Sequence, residues 1–316
     1  MKCTILFNTV FAAVLALTAA LPAHGADTSA PANRYASTLV PAERFDINGM
    51  LVERHGRAGT PMIFIPGLAS GAWAWQDATR QFMADHVVYV VTLPGFDGSA
   101  ARPGKPMAAA LASLDALITT RKLARPVLVG HSLGGTLAIA YAEQHPGSVG
   151  AIVALDGLPV FPGTEQMPAT ARSDMAEGIK ARMAGVTREG FAAQQVQYMR
   201  GVGVTDISRA DELAKLSARS DPDATISYMA DTLALDLRAE LPKITAPVLL
   251  LSPYFAADAA QGGPSDSAKA DYYRSLMAGT AKLSVVSVSP ARHFAMFDQP
   301  QQVVDAIRAF LATPPQ

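Results

Sequence analysis

Short, wholly apolar runs rich in Val, Ile and Leu recur along the chain, separated by longer stretches with helical spacing. The runs are "MIFIPG" (62–67), "HVVYVVTLPG" (86–95), "PVLVG" (126–130), "GAIVALDG" (150–157), "APVLLLSP" (246–253) and "KLSVVSVS" (282–289). Helical patterns fall at 73–85, 107–123, 132–145, 271–279 and 299–312. Strands with no polar face are strands covered on both sides, so the alternation predicts an α/β fold with a mostly parallel, doubly wound sheet. Ahead of it, residues 45–56 carry an Asn48-Gly49 turn and read as a strand pair. The rhythm breaks over 160–242, where helical stretches rich in Met, Ala and charge hold no strand pattern. That break predicts a helical cap inserted late in the sheet order. The expected organisation is a core in two parts, 26–159 and 243–316, with a cap or lid over 160–242 and a leader over 1–25. Residues 27–40, polar and Pro-containing, read as a linker.

Composition sharpens this reading. Of 316 residues, half are hydrophobic and 17% are charged, with a formal net charge of −1. A large core is affordable on this composition and a basic nucleic-acid-binding stripe is absent, so no nucleic-acid partner is expected. The first residues, "MKCTILFNTVFAAVLALTAALPAHGA", have one lysine, an apolar stretch, Pro22 and a small-residue end. This is the layout of a secretory signal peptide, with cleavage expected after Gly25 or Ala26. The alternative is an uncleaved anchor, but Asn8 and two threonines interrupt the apolar stretch. The only cysteine is Cys3, inside that leader, so the mature chain needs no disulfide. A soluble periplasmic or secreted protein of bacterial type is expected, without a stable membrane anchor after cleavage.

The chemistry centres on "VLVGHSLGGTLAIAYA" (127–142). Gly130, Ser132 and Gly134 form G-x-S-x-G between a predicted strand and a predicted helix. At such a turn the serine backbone is strained, and side chains two residues either side would collide with it. Glycine at both places is the steric condition for lifting a hydroxyl above the sheet edge. The backbone N–H of Leu133, opening the helix, can then donate to a developing oxyanion. A serine that merely caps a helix is the bland alternative; the flanking glycines and the strand before it argue for a nucleophile.

A neutral serine needs a base. His24 lies in the leader, His131 in the turn itself, His55 and His86 on early strands, and His145 at a helix end. His293 remains, in "SPARHFAMFDQP" after the last apolar run, and is expected to act as general base and then acid. Its partner carboxylate stays open between two strand-end aspartates, Asp156 in "ALDG" and Asp258 in "LLLSPYFAAD". Asp236 reads instead as a cap on the return from lid to core. A second oxyanion donor is expected from the N–H of Leu68, after Gly67 and beside Trp73 and Trp75.

Together these residues resemble the α/β-hydrolase superfamily over essentially the whole mature chain. "GHSLGG" resembles the nucleophile elbow of its serine esterases. "IPGLASGAWAW" is similar to the oxyanion loop, with Pro66 where the family usually has histidine; the donor is a backbone N–H, so little depends on that departure. "LPGFDGSA" (93–100) and "ARHFAMFDQPQQVVDAIRAFL" resemble the loop after the fourth strand and the histidine loop with its closing helix. The resemblance implies an α/β-hydrolase fold with an inserted helical cap. It usually places the acid after the seventh strand, where Asp258 sits late and without the usual glycine; a minority of the superfamily carries it after the sixth, where Asp156 falls. Relatives with an aspartate nucleophile, the haloalkane dehalogenases and epoxide hydrolases, are set aside by Ser132.

The cap segment holds Met167, Met175, Met183, Met199, Met229, Phe191, Tyr198 and Tyr228, which singly read as packing and together as a mostly apolar pocket. The expected activity is acyl-enzyme hydrolysis of a small to medium, largely apolar carboxylic ester. Lactones, amides and N-terminal peptide bonds share the machinery; Glu165, Asp174 and Glu177 would be the residues to hold a peptide amine. A non-catalytic binding protein on the same scaffold is the remaining alternative, and an intact Ser132 and His293 argue against it. No cofactor is expected, and no His or acid residues stand at metal-ligand spacing.

Overall fold

The computed structural model describes residues 33–313. The predicted leader (1–25) and the first six residues of the predicted linker (27–32) lie outside them. The described part of that linker is not loose. Asn33 donates to the Glu212 carbonyl at 2.7 Å, and Gln76 donates to the Tyr35 carbonyl while accepting from the Thr38 N–H at 3.2 Å. Polar side chains far along the chain therefore tie down a segment whose composition alone says loop.

Eight strands form one sheet: β1 (Glu43–Ile47), β2 (Met50–His55), β3 (Pro61–Ile65), β4 (Val87–Thr92), β5 (Val127–His131), β6 (Ala151–Leu155), β7 (Val248–Pro253) and β8 (Leu283–Val288). Their order is β1-β2-β4-β3-β5-β6-β7-β8. The β1–β2 hairpin closes through Asn48 and Gly49, both at positive φ, and adds antiparallel to β4. From β4 to β8 all pairings are parallel. Alternate residues of the apolar runs face opposite sides, each into its own core. Ile63, Leu128, Ile152 and Leu250 pack in one, and Phe64, Val129, Val153 and Leu249 in the other. The first core is closed by α2 (Pro106–Thr120) and α3 (Leu133–Gln144), and the second by α1 (Gln76–Phe82) together with a long C-terminal helix. Burial on both faces is why β3 to β7 show no polar alternation, whereas β8, at the sheet edge, is only partly buried and exposes Ser284 and Val286.

Between β6 and β7 the chain forms four helices, α4 (Ala169–Met183), α5 (Arg188–Tyr198), α6 (Ile207–Ser217) and α7 (Pro222–Ala234). A single bridge, Val160 with Asp236, marks where the insert leaves and rejoins the sheet domain. Asp236 there holds Arg238 through both carboxylate oxygens and lies 3.3 Å from Arg172. The chain closes with α8 (Ala256–Ala260), α9 (Asp266–Leu276), α10 (Ala295–Asp298) and α11 (Pro300–Ala312). Among the described residues no helix is long and apolar enough to cross a membrane.

Candidate active site

The sheet's strand order turns between β3 and β5, which run side by side although β4 separates them in sequence. Ligands of open α/β sheets gather at such a point, outside the strands' C-terminal ends. Ser132 sits there, between the end of β5 and the first turn of α3, with φ 52° and ψ −120°. A non-glycine residue rarely adopts that φ, and the neighbourhood holds it in place. Its N–H donates to the Leu155 carbonyl at 2.9 Å. A Cβ on Gly130 would overlap the Gly134 carbonyl, and one on Gly134 would overlap the Ile65 carbonyl and come within 2.7 Å of Pro66 O. Any side chain at either glycine would push β3, β5 and α3 apart.

His293 lies on the loop between β8 and α10. Its Nδ1 donates to Asp156 Oδ2 at 2.5 Å. That bond leaves Nε2 without a proton and able to accept one. The loop is braced from three sides. The His293 and Phe294 N–H groups donate to the Val202 and Gly203 carbonyls of a wide turn that follows α5, at 3.2 and 2.8 Å. His131 Nε2 donates to the His293 carbonyl at 2.9 Å. Asp298 accepts from the Arg292 N–H at 2.9 Å and from Thr205. The insert thus helps set the imidazole as well as covering the serine.

Asp156 follows β6 directly, at φ 51°, with its N–H on the Leu251 carbonyl. Register pairs His131 with Leu155, so Ser132 and Asp156 are the next residues on neighbouring strands. Tyr273 of α9 donates its hydroxyl to Asp156 Oδ1, so each carboxylate oxygen has its own donor. Burial pushes the carboxyl up, but the Lys269 and His293 charges and the two donors outweigh it and hold Asp156 well below the usual carboxylate range. Burial, with Asp156 beside it, pushes the Tyr273 phenol up. Burial also holds the His131 imidazole well below its ordinary value, and the neighbouring His293 adds to this, so His131 is a neutral brace.

Two cavities meet at this point, and Ser132, Phe161, Tyr198 and His293 line both. One, of about 170 Å³, runs under the insert between Leu68, Ile179, Met183, Phe191 and Met229 and is mainly apolar. The other, of about 350 Å³, opens past Asp156, Tyr254, Lys269 and Arg292. Among the described residues, no backbone carbonyl accepts from the N–H of Leu68 or of Leu133. Both residues border the serine and leave two donors at its edge. No group of three His, Cys, Asp or Glu side chains at metal-binding distance occurs among the described residues.

A profile of the alpha/beta hydrolase family matches residues 62–306. The chain belongs to the alpha/beta hydrolase family. It is 28% identical, over 82% of this chain and 98% of the relative, to the pimeloyl-[acyl-carrier protein] methyl ester esterase of Aeromonas salmonicida. It is also 28% identical, over 60% of this chain and 75% of the relative, to the 2-succinyl-6-hydroxy-2,4-cyclohexadiene-1-carboxylate synthase of Escherichia coli O1:K1. Among solved structures, the enol-lactonase of Burkholderia xenovorans superposes with TM-score 0.66 at 19% identity, covering 86% of this chain and all of that one. A thermophilic esterase from Thermogutta terrifontis superposes with TM-score 0.66 at 20% identity, covering 85% and 98%.

Within this alpha/beta hydrolase the structure brings Ser132, His293, Asp156, Leu68 and Leu133 to one place, flanked by Gly130 and Gly134. It does not bring Asp258 there. That carboxylate is held in a two-point contact by Arg292, at 2.6 and 3.0 Å, and makes no bond to His293. Of the two aspartates left open by the sequence, geometry corrects Asp258 to an ion-pair residue on the cavity wall. Of the cap residues with candidate binding roles, Met183, Met229, Phe191 and Tyr198 line the apolar cavity. Met199 and Tyr228 are core residues, and Met175 packs inside the insert. Glu165, Asp174 and Glu177 line neither cavity. Sequence reasoning missed Tyr273 and Lys269, because "KADYYRSL" reads only as one amphipathic helix. It also missed the bracing role of His131.

Proposed function

We propose that this alpha/beta hydrolase cleaves a largely apolar carboxylic ester by way of an acyl-serine intermediate. One observation carries the reading: a serine held at φ 52° shares a cavity with an imidazole whose far nitrogen is fixed on a buried carboxylate. His293 Nε2 takes the Ser132 proton as Oγ attacks the acyl carbon. The Leu68 and Leu133 N–H groups receive the oxyanion, and His293 returns the proton to the leaving alkoxide. Water then repeats the sequence, giving up its proton to His293 as it attacks the acyl carbon, and His293 returns that proton to Ser132 Oγ as the acyl–serine bond breaks. Asp156 stays ionised and faces the imidazolium throughout. The apolar cavity under the insert supports an aliphatic or aromatic acyl or alcohol group, and the insert would act as its lid. The 28% likeness to a methyl ester esterase over almost all of that protein supports an ester as substrate. Hydrolysis of p-nitrophenyl esters from acetate to decanoate, by the protein and by Ser132→Ala, tests the reading. Turnover that disappears in Ser132→Ala, together with fluorophosphonate labelling at Ser132, upholds it. Turnover that survives Ser132→Ala, or none with any ester, refutes it.

A further inference from the structure

The second cavity differs from the first in one respect that the ester chemistry leaves unused. Its wall carries two cations, Lys269 and Arg292, and two carboxylates, Asp156 and Asp258. Three of these four are spoken for. Asp258 and Arg292 hold each other in a two-point contact. Asp156 accepts from His293 and Tyr273. Lys269, on α9, is the exception. Its ammonium donates to the Pro253 carbonyl at 2.5 Å and lies 5.3 Å from the centre of the Tyr273 ring. Among the described residues no carboxylate stands within ion-pair distance of it. An ammonium has three donors, so two remain for whatever enters the cavity. Its charge acts on Asp156 without touching it, so this half-buried cation has no contacting carboxylate, and a bound anion would supply one.

The placement is close to the reacting atoms. Tyr273 lies against Lys269 and donates to Asp156, and Asp156 holds His293, so two side chains separate the ammonium from the imidazole. We propose that Lys269 forms an anion subsite in the second cavity and that the substrate is an ester bearing a carboxylate on the arm that lies there. A monoanion fits better than a phosphate dianion, since only one cation lacks a contacting carboxylate and Asp156 and Asp258 already place two negative charges on the wall. The apolar cavity then takes the other arm, giving a substrate charged at one end and apolar at the other. This inference deepens the ester-hydrolase reading and rests on it.

The test compares esters matched in length and differing in one charge, read by proton release. One pair varies the acyl arm, methyl hydrogen adipate against methyl hexanoate. The other varies the alcohol arm, 3-(butanoyloxy)propanoate against propyl butanoate. The quantity read is the ratio of kcat/KM for the anionic ester to that for the neutral one, so a general loss of activity cancels. The wild type prefers the anionic member of at least one pair, and Lys269→Met lowers that ratio about tenfold or more, as loss of a charge-assisted contact requires. Lys269→Gln, which keeps a donor, serves if the methionine variant does not fold, and lowers the ratio less. Turnover of neutral esters with no anionic preference, or a ratio unmoved by both variants, overturns the subsite and leaves the hydrolase reading intact. If no ester of either kind is turned over, the hydrolase reading falls and the subsite is judged by calorimetry. Adipate binding to Ser132→Ala that vanishes when Lys269→Met is added upholds it, and equal or absent binding overturns it.

Discussion

Replacing Asp156 by asparagine changes one oxygen for an amide nitrogen at a position where both oxygens are used. The carboxylate accepts from His293 Nδ1 and from the Tyr273 hydroxyl. An amide offers one acceptor and one donor. If its nitrogen faces His293, the imidazole must move its proton to Nε2, and the proposed general base is lost. If its oxygen faces His293, the Tyr273 hydroxyl must turn and accept, and the tautomer survives. In both cases the negative charge opposite the imidazolium is gone. Unit charges about 4 Å apart at an effective dielectric near 20 interact by about 4 kcal/mol, which is worth on the order of 10³ in rate. The misplaced tautomer adds to this, so Asp156→Asn should lose on the order of 10⁴ in kcat on p-nitrophenyl butanoate. Asp258→Asn removes a contact to Arg292 whose aspartate side chain is 44% exposed, so it should cost about 1 kcal/mol of stability or less and under about tenfold in kcat. Circular dichroism should show both variants folded. The reasoning is refuted if Asp156→Asn keeps more than about a tenth of wild-type kcat, or if Asp258→Asn falls as far.

Gly134→Ala should lower kcat by on the order of 10² and the melting temperature with it, because its Cβ meets the backbone carbonyls of Ile65 and Pro66 and shifts the loop that carries Leu68; unchanged steady-state kinetics would contradict this. Met229→Phe, on the wall of the apolar cavity, should cut kcat/KM for decanoate by about tenfold relative to butanoate, and an unaltered chain-length profile would mean that the acyl chain lies elsewhere. Asp97 is pushed up to about 6, chiefly by burial and against the pull of Arg219. The folded state therefore holds this proton where the unfolded chain has released it, so stability is greatest below about pH 4 on this account and falls as pH rises through 6. Asparagine tolerates the positive φ at this position, and Asp97→Asn should remove that fall, worth about 3 kcal/mol at most, in urea melts from pH 4 to 8. In α4, Gly178 has open space where a Cβ would stand, so Gly178→Ala should raise stability by about 0.5–1 kcal/mol in the same melts.

The sheet was legible because each central strand is buried on both faces and is therefore apolar along most of its length. "VLVGH", "AIVAL" and "VLLLSP" declare themselves by composition alone. The α9 helix begins earlier than its apolar spacing indicates. Its first turn is all polar or small, and Ser265 caps it by accepting from the Ala268 N–H. Capping is a local signal that an apolar period does not register. The bracing of the histidine loop was not legible at all. The Val202 and Gly203 carbonyls that receive it are backbone atoms of a turn ninety residues away, and nothing in their side chains marks them.

The two aspartates show where sequence reasoning stops and what takes over. Both follow apolar strands, and both lie on the C-terminal side of the sheet. What separates them is the residue beside His293. Arg292 turns its guanidinium to Asp258 and also donates to the Arg200 carbonyl, so the Asp258 carboxylate is drawn toward the insert and neutralised there. Asp156 needs no such journey. Its strand is hydrogen-bonded to the strand of Ser132, with His131 opposite Leu155, and Gly157 packs against Gly135 so that the two strand ends stay close. Ser132 and Asp156 are therefore set by one backbone register, and a single loop has only to lower the imidazole toward them. An acid placed on β7 would depend on a second strand and a second loop holding their positions. On this argument the β6 position is the more rigid of the two, and Tyr273, filling the other carboxylate oxygen from α9, is what keeps its rotamer in place.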